Sequence, residues 1–440
     1  MRRIYEPSAY APQTGCYWAE TVPQDHWPEH SGVQNAEVAI IGGGFTGLNA
    51  ALTLAQAGRE TLVLEAGTPG FGASGRNGGF CCLGGAKLPA RQMARRFGAE
   101  APHYWAQTEK AAIDHVAKLI SKHEIEVDAH SRGETQLAHN ARRWLEMQLE
   151  AKHFETAHAL GAHLTPKKAL ADEGLAGPWH GALTLPIGFG LNPRKYHAGL
   201  ARATATAGAE LFQSSPVTAM SRDGNRWRLT TPGGEITARH VVLATNGYSS
   251  EDLPDWLRAR YLPVQSSVIV TRPIPPEEQQ RQGWTSDQMA YDSRRLLHYF
   301  RLMPNGRFLF GMRGGLKATS GAQAAISRKI KADFHGLFPA WRDVEITHEW
   351  SGLVCMMPGL VPFVGPVPEH GGLHAAMGFH GNGVAMGSYA GHLIAHDILG
   401  ATPKGPYPAF LRQPPGRFPL GSWRRSLLAP AYMAAETLDL

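Results

Sequence analysis

The stretch from residue 36 to residue 66, AEVAIIGGGFTGLNAALTLAQAGRETLVLEA, constrains the fold of this chain more than any other. Val38 to Ile41 read as a buried strand, Gly42, Gly44 and Gly47 form a G-x-G-x-x-G turn, and Phe45 to Ala57 carry apolar residues at helical spacing. The first glycine permits a tight turn, the second lets the backbone approach a pyrophosphate, and the third lets the helix lie close to the strand. The helix N-terminus then directs N–H groups at phosphate charge. Gly58 closes the helix, and Thr61 to Leu64 form the next strand, ending at Glu65. That carboxylate stands 18 residues beyond Gly47, where it can accept hydrogen bonds from both ribose hydroxyls of an adenosine and would repel a ribose phosphate. FAD or NAD fits this pattern and NADP does not.

Composition narrows the class. A chain of 440 residues can build two lobes with substantial cores, and 43% hydrophobic with 18% charged residues excludes a disordered or fibrous protein. The formal charge of +6 invites a nucleic-acid reading, but Lys and Arg are dispersed, with no run longer than pairs such as Arg95-Arg96. A mildly basic surface and no nucleic-acid partner are expected. Cys16, Cys81, Cys82 and Cys355 make no C-x-x-C pair, which points to a reducing compartment and a cytoplasmic location. The 21 histidines show no metal-ligand spacing, so no metal site is expected. No run of about 18 apolar residues predicts a transmembrane segment.

Along the chain, residues 1–35 read as an irregular arm. Residues 91–123 and 140–161 read as amphipathic helices with Trp105, Ile113, Val116, Leu119, Trp144, Leu145, Leu149 and Phe154 facing inward. Between 192 and 247 the pattern is α/β, and from 261 to 316 its alternation predicts an antiparallel sheet; 328–340 reads as a helix. The resulting class is α/β (α+β overall). A Rossmann-type dinucleotide-binding domain is interrupted by a mostly antiparallel β-sheet substrate domain with helices. The expected boundaries are 36–125, 190–255 and 345–400 for the first domain, 126–189 and 256–344 for the second, and 401–440 for a tail.

Glycine-bearing turns at 42–47, 72–79 and 378–383 each adjoin an α/β element, more than NAD needs and suited to the longer FAD. A helix starting near Asn382 or Gly383 would aim its N–H groups at the flavin edge that gains negative charge on reduction. There is no second G-x-G-x-x-G domain for a pyridine nucleotide.

The pieces IGGGFTGL, GASGRNGG, ATNGY, WSGLVCMMPGLVPFVG, GFHGNGVAMGSYAGHLIA and PPGRFPLGSWRRSLLAPAYM span nearly the whole chain. In them the sequence resembles the FAD-dependent D-amino-acid oxidase superfamily, and within it the γ-glutamylputrescine oxidoreductase group. The resemblance implies FAD bound by Gly42, Gly44, Phe45, Thr46, Gly47, Glu65 and Ala66, by Ser74, Arg76, Asn77, Gly78 and Gly79, by Val217 and Gly247, and by Phe379, His380, Gly381, Asn382, Gly383 and Val384. It also implies oxidation of a C–N bond of a primary or secondary amine, such as a polyamine derivative, to an imine by hydride transfer to flavin N5, followed by hydrolysis. Electrons would pass to oxygen or to a separate carrier.

Three positions bear on specificity and chemistry. Glycine oxidases place an Arg directly after W-x-G-L to clamp an α-carboxylate, whereas Trp350-Ser351-Gly352-Leu353 is followed here by Val354, which weakens a simple α-amino-acid substrate. Cys355 is near, but not at, the position where sarcosine oxidases attach flavin covalently, so non-covalent FAD is expected. Arg76 and His380 are the polar residues placed to border the isoalloxazine in a catalytic role, although each could equally satisfy backbone carbonyls. Lys317 invites comparison with the oxygen-activating lysine of sarcosine oxidase but reads as a solvated loop residue. Tyr248 and Tyr299 could line the substrate cavity or pack in the core. An alternative activity is N-methyl amino-acid (sarcosine-like) demethylation. A non-enzymatic, RNA-associated flavoprotein is the remaining alternative, and the dispersed charge counts against it.

Overall fold

Val38, Ala39 and Ile40 are fully buried, and burial on both faces is what a parallel strand flanked by covering layers requires. In the computed structural model, which describes residues 1–12 and 14–439, these residues lie in the strand Gly32–Ile41. It pairs in parallel with Thr61–Leu64 on one side and Gly234–Leu243 on the other. Glu210–Phe212 extends the sheet beyond Thr61–Leu64, while Leu373–Met377 and the antiparallel Phe363–Pro366 extend it beyond Gly234–Leu243. The hairpin Ala219–Asp223 and Arg226–Thr231 attaches antiparallel to Gly234–Leu243.

The helix Phe45–Gln56 follows the first glycine turn, as its apolar spacing predicts. Leu48, Leu52, Val116, Leu200, Leu393 and Ile394 join it to the helices Ala101–Lys122, Pro193–Thr206 and Ala385–Leu399 in one core. Two glycines set how closely these helices approach the strand and one another. A Cβ on Gly47 would come within 2.0 Å of the Gly42 carbonyl oxygen, and one on Gly391 within 2.1 Å of the Thr46 carbonyl oxygen.

The second sheet runs in the order Ile346–Met356, Leu262–Pro273, Arg307–Arg313, His298–Leu302, Met289–Asp292, Glu134–Leu137, Gly181–Leu185, His163–Pro166. Every pair is antiparallel except Met289–Asp292 with Glu134–Leu137. Phe300, Phe308, Phe310 and Trp284 pack beneath Phe334, Phe338 and Trp341.

Four local expectations are corrected. The boundary at 345 falls in the wrong place for Ile346–Met356, which pairs with Leu262–Pro273 through registers such as Val268 with Trp350 and so belongs to the antiparallel sheet. Residues 32–35, read as part of the arm, already pair with Gly234 to Thr237. The helix read at 328–340 spans Ser320–Leu337, because the Thr319 side chain caps its start and Pro339 follows its end. Leu145 and Leu149 are 64% and 71% exposed, because Met147 and Ala151 occupy the inward stripe of helix Ala141–His158. The remaining arm is anchored across both sheets: Trp18 is buried with its indole N–H donating to the Asn77 carbonyl.

Candidate active site

Open α/β sheets bind ligands beyond the carboxyl ends of their parallel strands. Here Ile41, Leu64 and Ala244, at or just past three such ends, border a cavity that continues to Ser266, Tyr299 and Arg313 on the antiparallel sheet. At the strand ends the backbone leaves no room for side chains. Gly42 has φ +110°, and a Cβ there would lie 2.8 Å from the Ala244 carbonyl oxygen. A Cβ on Gly44 would lie 2.8 Å from Ser74 Oγ, which accepts the Phe45 N–H at 2.9 Å.

Glu65 stands at the end of the second strand with both oxygens engaged. Oε2 accepts the Gly43 N–H and Oε1 the Gly67 N–H, each at 2.9 Å. Burial pushes its pKa up, while the N–H donors of Gly67 and Gly43 pull it down. A carboxylate oxygen retains a lone pair after one such bond, so both can still accept ribose hydroxyls. The Gly43 carbonyl in turn receives a 2.7 Å hydrogen bond from His197 Nε2, fixing the turn from below.

The second glycine loop supplies the middle of the cavity. Asn77 braces this loop, its Oδ1 accepting the Gly79 N–H and its Nδ2 donating to the carbonyls of Ala73 and Ser74. Arg76 lies over the Phe71 ring at 4.7 Å, and its Nη1 is buried without a hydrogen-bond partner. A buried orphan donor of a cation is costly unless something anionic or polar meets it.

The third turn carries Phe379, Gly381, Asn382, Gly383 and Val384 to the cavity wall, ahead of the helix Ala385–Leu399. His380 does not reach the cavity. It has no exposed surface; Nε2 accepts the Met357 N–H at 3.1 Å and Nδ1 donates to the Gly85 carbonyl at 2.6 Å. Burial lowers its pKa to about 4, so the ring is neutral. Its predicted catalytic placement is therefore corrected: His380 ties the third turn to the segment around Gly85. Gly47, Gly79 and Gly247 also lie off the cavity. Each meets backbone where a Cβ would stand, at the Gly42, Leu191 and Leu353 carbonyls respectively.

The other residues singled out from sequence line the cavity: Gly42, Gly44, Phe45, Thr46, Glu65, Ala66, Ser74, Arg76, Asn77, Gly78 and Val217. Tyr248 and Tyr299 line it too, whereas Lys317 is an exposed residue away from it. Sequence reasoning missed Lys87 and Tyr291. Lys87 sits seven residues past the end of GASGRNGGF, where a run of small residues gave no periodicity to read. Tyr291 arrives from a four-residue strand whose pairing with Glu134–Leu137 no local pattern reveals.

Cys355 borders the cavity, and burial pushes its thiol up to about 12. All four cysteines are free. Among the described residues no cluster of His, Cys, Asp or Glu could hold a metal, and no helix is long and apolar enough to cross a membrane.

The glycine cradle at three strand ends, the buried carboxylate of Glu65 and the orphan Nη1 of Arg76 fit a cofactor with an adenosine, a pyrophosphate and a further polar ring system. A model of the FAD dependent oxidoreductase (DAO) family matches residues 37–396, and the chain belongs to that family. It is an FAD-dependent oxidoreductase. It is 30% identical to the probable oxidoreductase OrdL of Rhizobium meliloti, over 88% of this chain and 89% of that protein. It is 27% identical to the gamma-glutamylputrescine oxidoreductase of Escherichia coli, over 90% of this chain and 89% of that one. Among solved structures, glycine oxidase from Geobacillus kaustophilus superposes with a TM-score of 0.69 at 21% identity, covering 84% of this chain and 96% of the other. That likeness concerns the fold.

Proposed function

We propose that the protein oxidises a primary or secondary amine to an imine that water then hydrolyses, with electrons leaving to oxygen or a separate carrier. Bound FAD supplies the acceptor for the hydride lost from the carbon beside nitrogen. The protein's task is to present a neutral amine, because an ammonium has no lone pair to drive that loss.

The observation that carries this reading is the state of the cavity's own amine. Lys87 opens onto the cavity, exposed to the space between its walls. Burial, and then the charge of Arg313, lower its pKa from 10.5 to about 8. A substrate ammonium brought among Val268, Leu297, Tyr299 and Leu353 meets the same loss of hydration and is biased toward releasing its proton. The similarity to gamma-glutamylputrescine oxidoreductase supports an amine whose reacting end is not an α-amino acid. Val354 supports it as well: it faces the cavity where glycine oxidases carry their carboxylate-binding arginine.

Product analysis tests this reading. Turnover with an amine such as putrescine or its γ-glutamyl derivative should release the corresponding aldehyde together with ammonia and two reducing equivalents. Formaldehyde as the sole carbonyl product, formed from N-methyl amino acids, would instead establish the demethylating activity.

A further inference from the structure

Resting on the amine-oxidation reading, we propose that Arg313 and Lys87 form an anion subsite that selects amines bearing a carboxylate remote from the reacting carbon. Both side chains border the cavity, Arg313 half-buried in its wall and Lys87 exposed within it. Among the described residues, Arg313 makes one hydrogen bond, from Nη2 to the His380 carbonyl oxygen at 3.2 Å. Neither side chain forms an ion pair among the described residues. The carboxyls of Glu109 and Glu134 act on Lys87 only from a distance, and burial pushes that of Glu134 up to about 8.

Two cations facing one cavity without a counter-ion repel each other, and an anionic ligand relieves that repulsion. The guanidinium is held for this purpose. Gly381 has φ +102°, and a Cβ there would stand 2.5 Å from Arg313 Nη2, so the turn is bare where the guanidinium lies against it. A planar fork pressed on a fixed backbone loses little freedom when it meets a carboxylate bidentately.

The subsite is not the carboxylate clamp of glycine oxidases moved by a residue. Ser266 pairs with Arg313 on one side and with Gly352 on the other. Arg313 therefore starts two strands away from the strand of Val354, a lateral separation of about 10 Å between backbones. An anion held by Arg313 and Lys87 thus occupies a different part of the cavity from an α-carboxylate held at position 354. The substrate class that fits has a reacting amine at one end and a carboxylate several bonds away.

The test has two arms. In the first, holoprotein is titrated with unreactive butanoate, glutarate and butanamide while the oxidised-flavin spectrum is followed. The carboxylates should perturb it saturably and the amide should not; Arg313→Gln and Lys87→Met should each weaken carboxylate binding about tenfold or more, with Arg313→Lys retaining part of the affinity. In the second, anaerobic flavin reduction is compared for a remote-carboxylate amine and its methyl ester. The wild type should bind the acid about tenfold or more tightly than the ester, and Arg313→Gln should abolish that ratio.

Equal binding of acid, ester and amide by the wild type would overturn the proposal. So would an Arg313→Gln variant that keeps the acid preference and changes only the flavin reduction potential, since the guanidinium would then serve the cofactor. Failure of every amine to reduce the flavin, with carboxylate binding still lost in the variants, would reject the amine reading and leave the anion subsite standing.

Discussion

His380 is the residue for which sequence and structure disagree most directly, and His380→Ala separates the two readings. The ring fills a fully buried site and satisfies two backbone groups, the Gly85 carbonyl and the Met357 N–H. Truncation leaves both without partners, at about 1–3 kcal/mol each, and adds a cavity. With incomplete additivity, a loss of about 2–5 kcal/mol is expected. The pH dependence supplies a second signature. The folded pKa is lowered from 6.5 to about 4, so between those values the unfolded chain takes up a proton that the native ring refuses. Stability from this group is complete above pH 6.5 and falls as pH drops toward 4, by about 3 kcal/mol in all at 1.36 kcal/mol per unit. Urea unfolding of the holoprotein across this window, in wild type and variant, measures both effects. The variant should be less stable near neutrality and should lose less of its remaining stability on acidification. Unchanged stability with flavin reduction slowed about 100-fold or more would refute the structural role and restore the catalytic one.

Three other outcomes follow from the same structure. Glu65→Ala removes the acceptor for Gly43 and Gly67 and, with it, the acceptor proposed for the ribose hydroxyls; FAD binding should weaken by about 1–3 kcal/mol in equilibrium dialysis, and unchanged affinity would show that the carboxylate serves the turn alone. Acid or heat should release all flavin into the supernatant, because the Cys355 thiol is held protonated by burial; flavin retained on the precipitated polypeptide would contradict this. Gly47→Ala places a Cβ 2.0 Å from the Gly42 carbonyl oxygen, with rigid backbone on both sides. The purified variant should therefore carry less FAD per chain by absorbance, and a full complement would show that the helix can shift without harm.

The nucleotide end of the site was legible because its signals are local. The glycines of the first turn, the helix at Phe45–Gln56, the strand at Thr61–Leu64 and the acid at its end lie within one uninterrupted segment. The substrate end was legible only in outline, because it is assembled from distant strands. Arg313 and Tyr299 come from neighbouring strands, Tyr291 from the strand beside Tyr299, and Lys87 from a loop more than two hundred residues earlier. His380 was misread for a related reason: its place in a glycine turn indicates proximity to the cofactor but not which way the ring points. With φ +49° its backbone lies in the left-handed region, and the ring turns inward to backbone partners contributed by two other segments. Leu145 and Leu149 illustrate the limit of periodicity, since adjacent stripes on one helix are both apolar and packing chose the other.

Anaerobic stopped-flow reduction of the bound flavin tests the central claim most directly, because it reports the reaction with substrate whatever the electron acceptor. Amines without an α-carboxylate, including polyamines and γ-glutamylated amines, should bleach the oxidised-flavin absorbance faster at matched pH than glycine, simple D-amino acids or N-methyl amino acids. An α-carboxylate brought next to Val354 would lack a cation there, at a cost of several kcal/mol. Faster reduction by a free α-amino acid, or no reduction by any amine, would contradict the account.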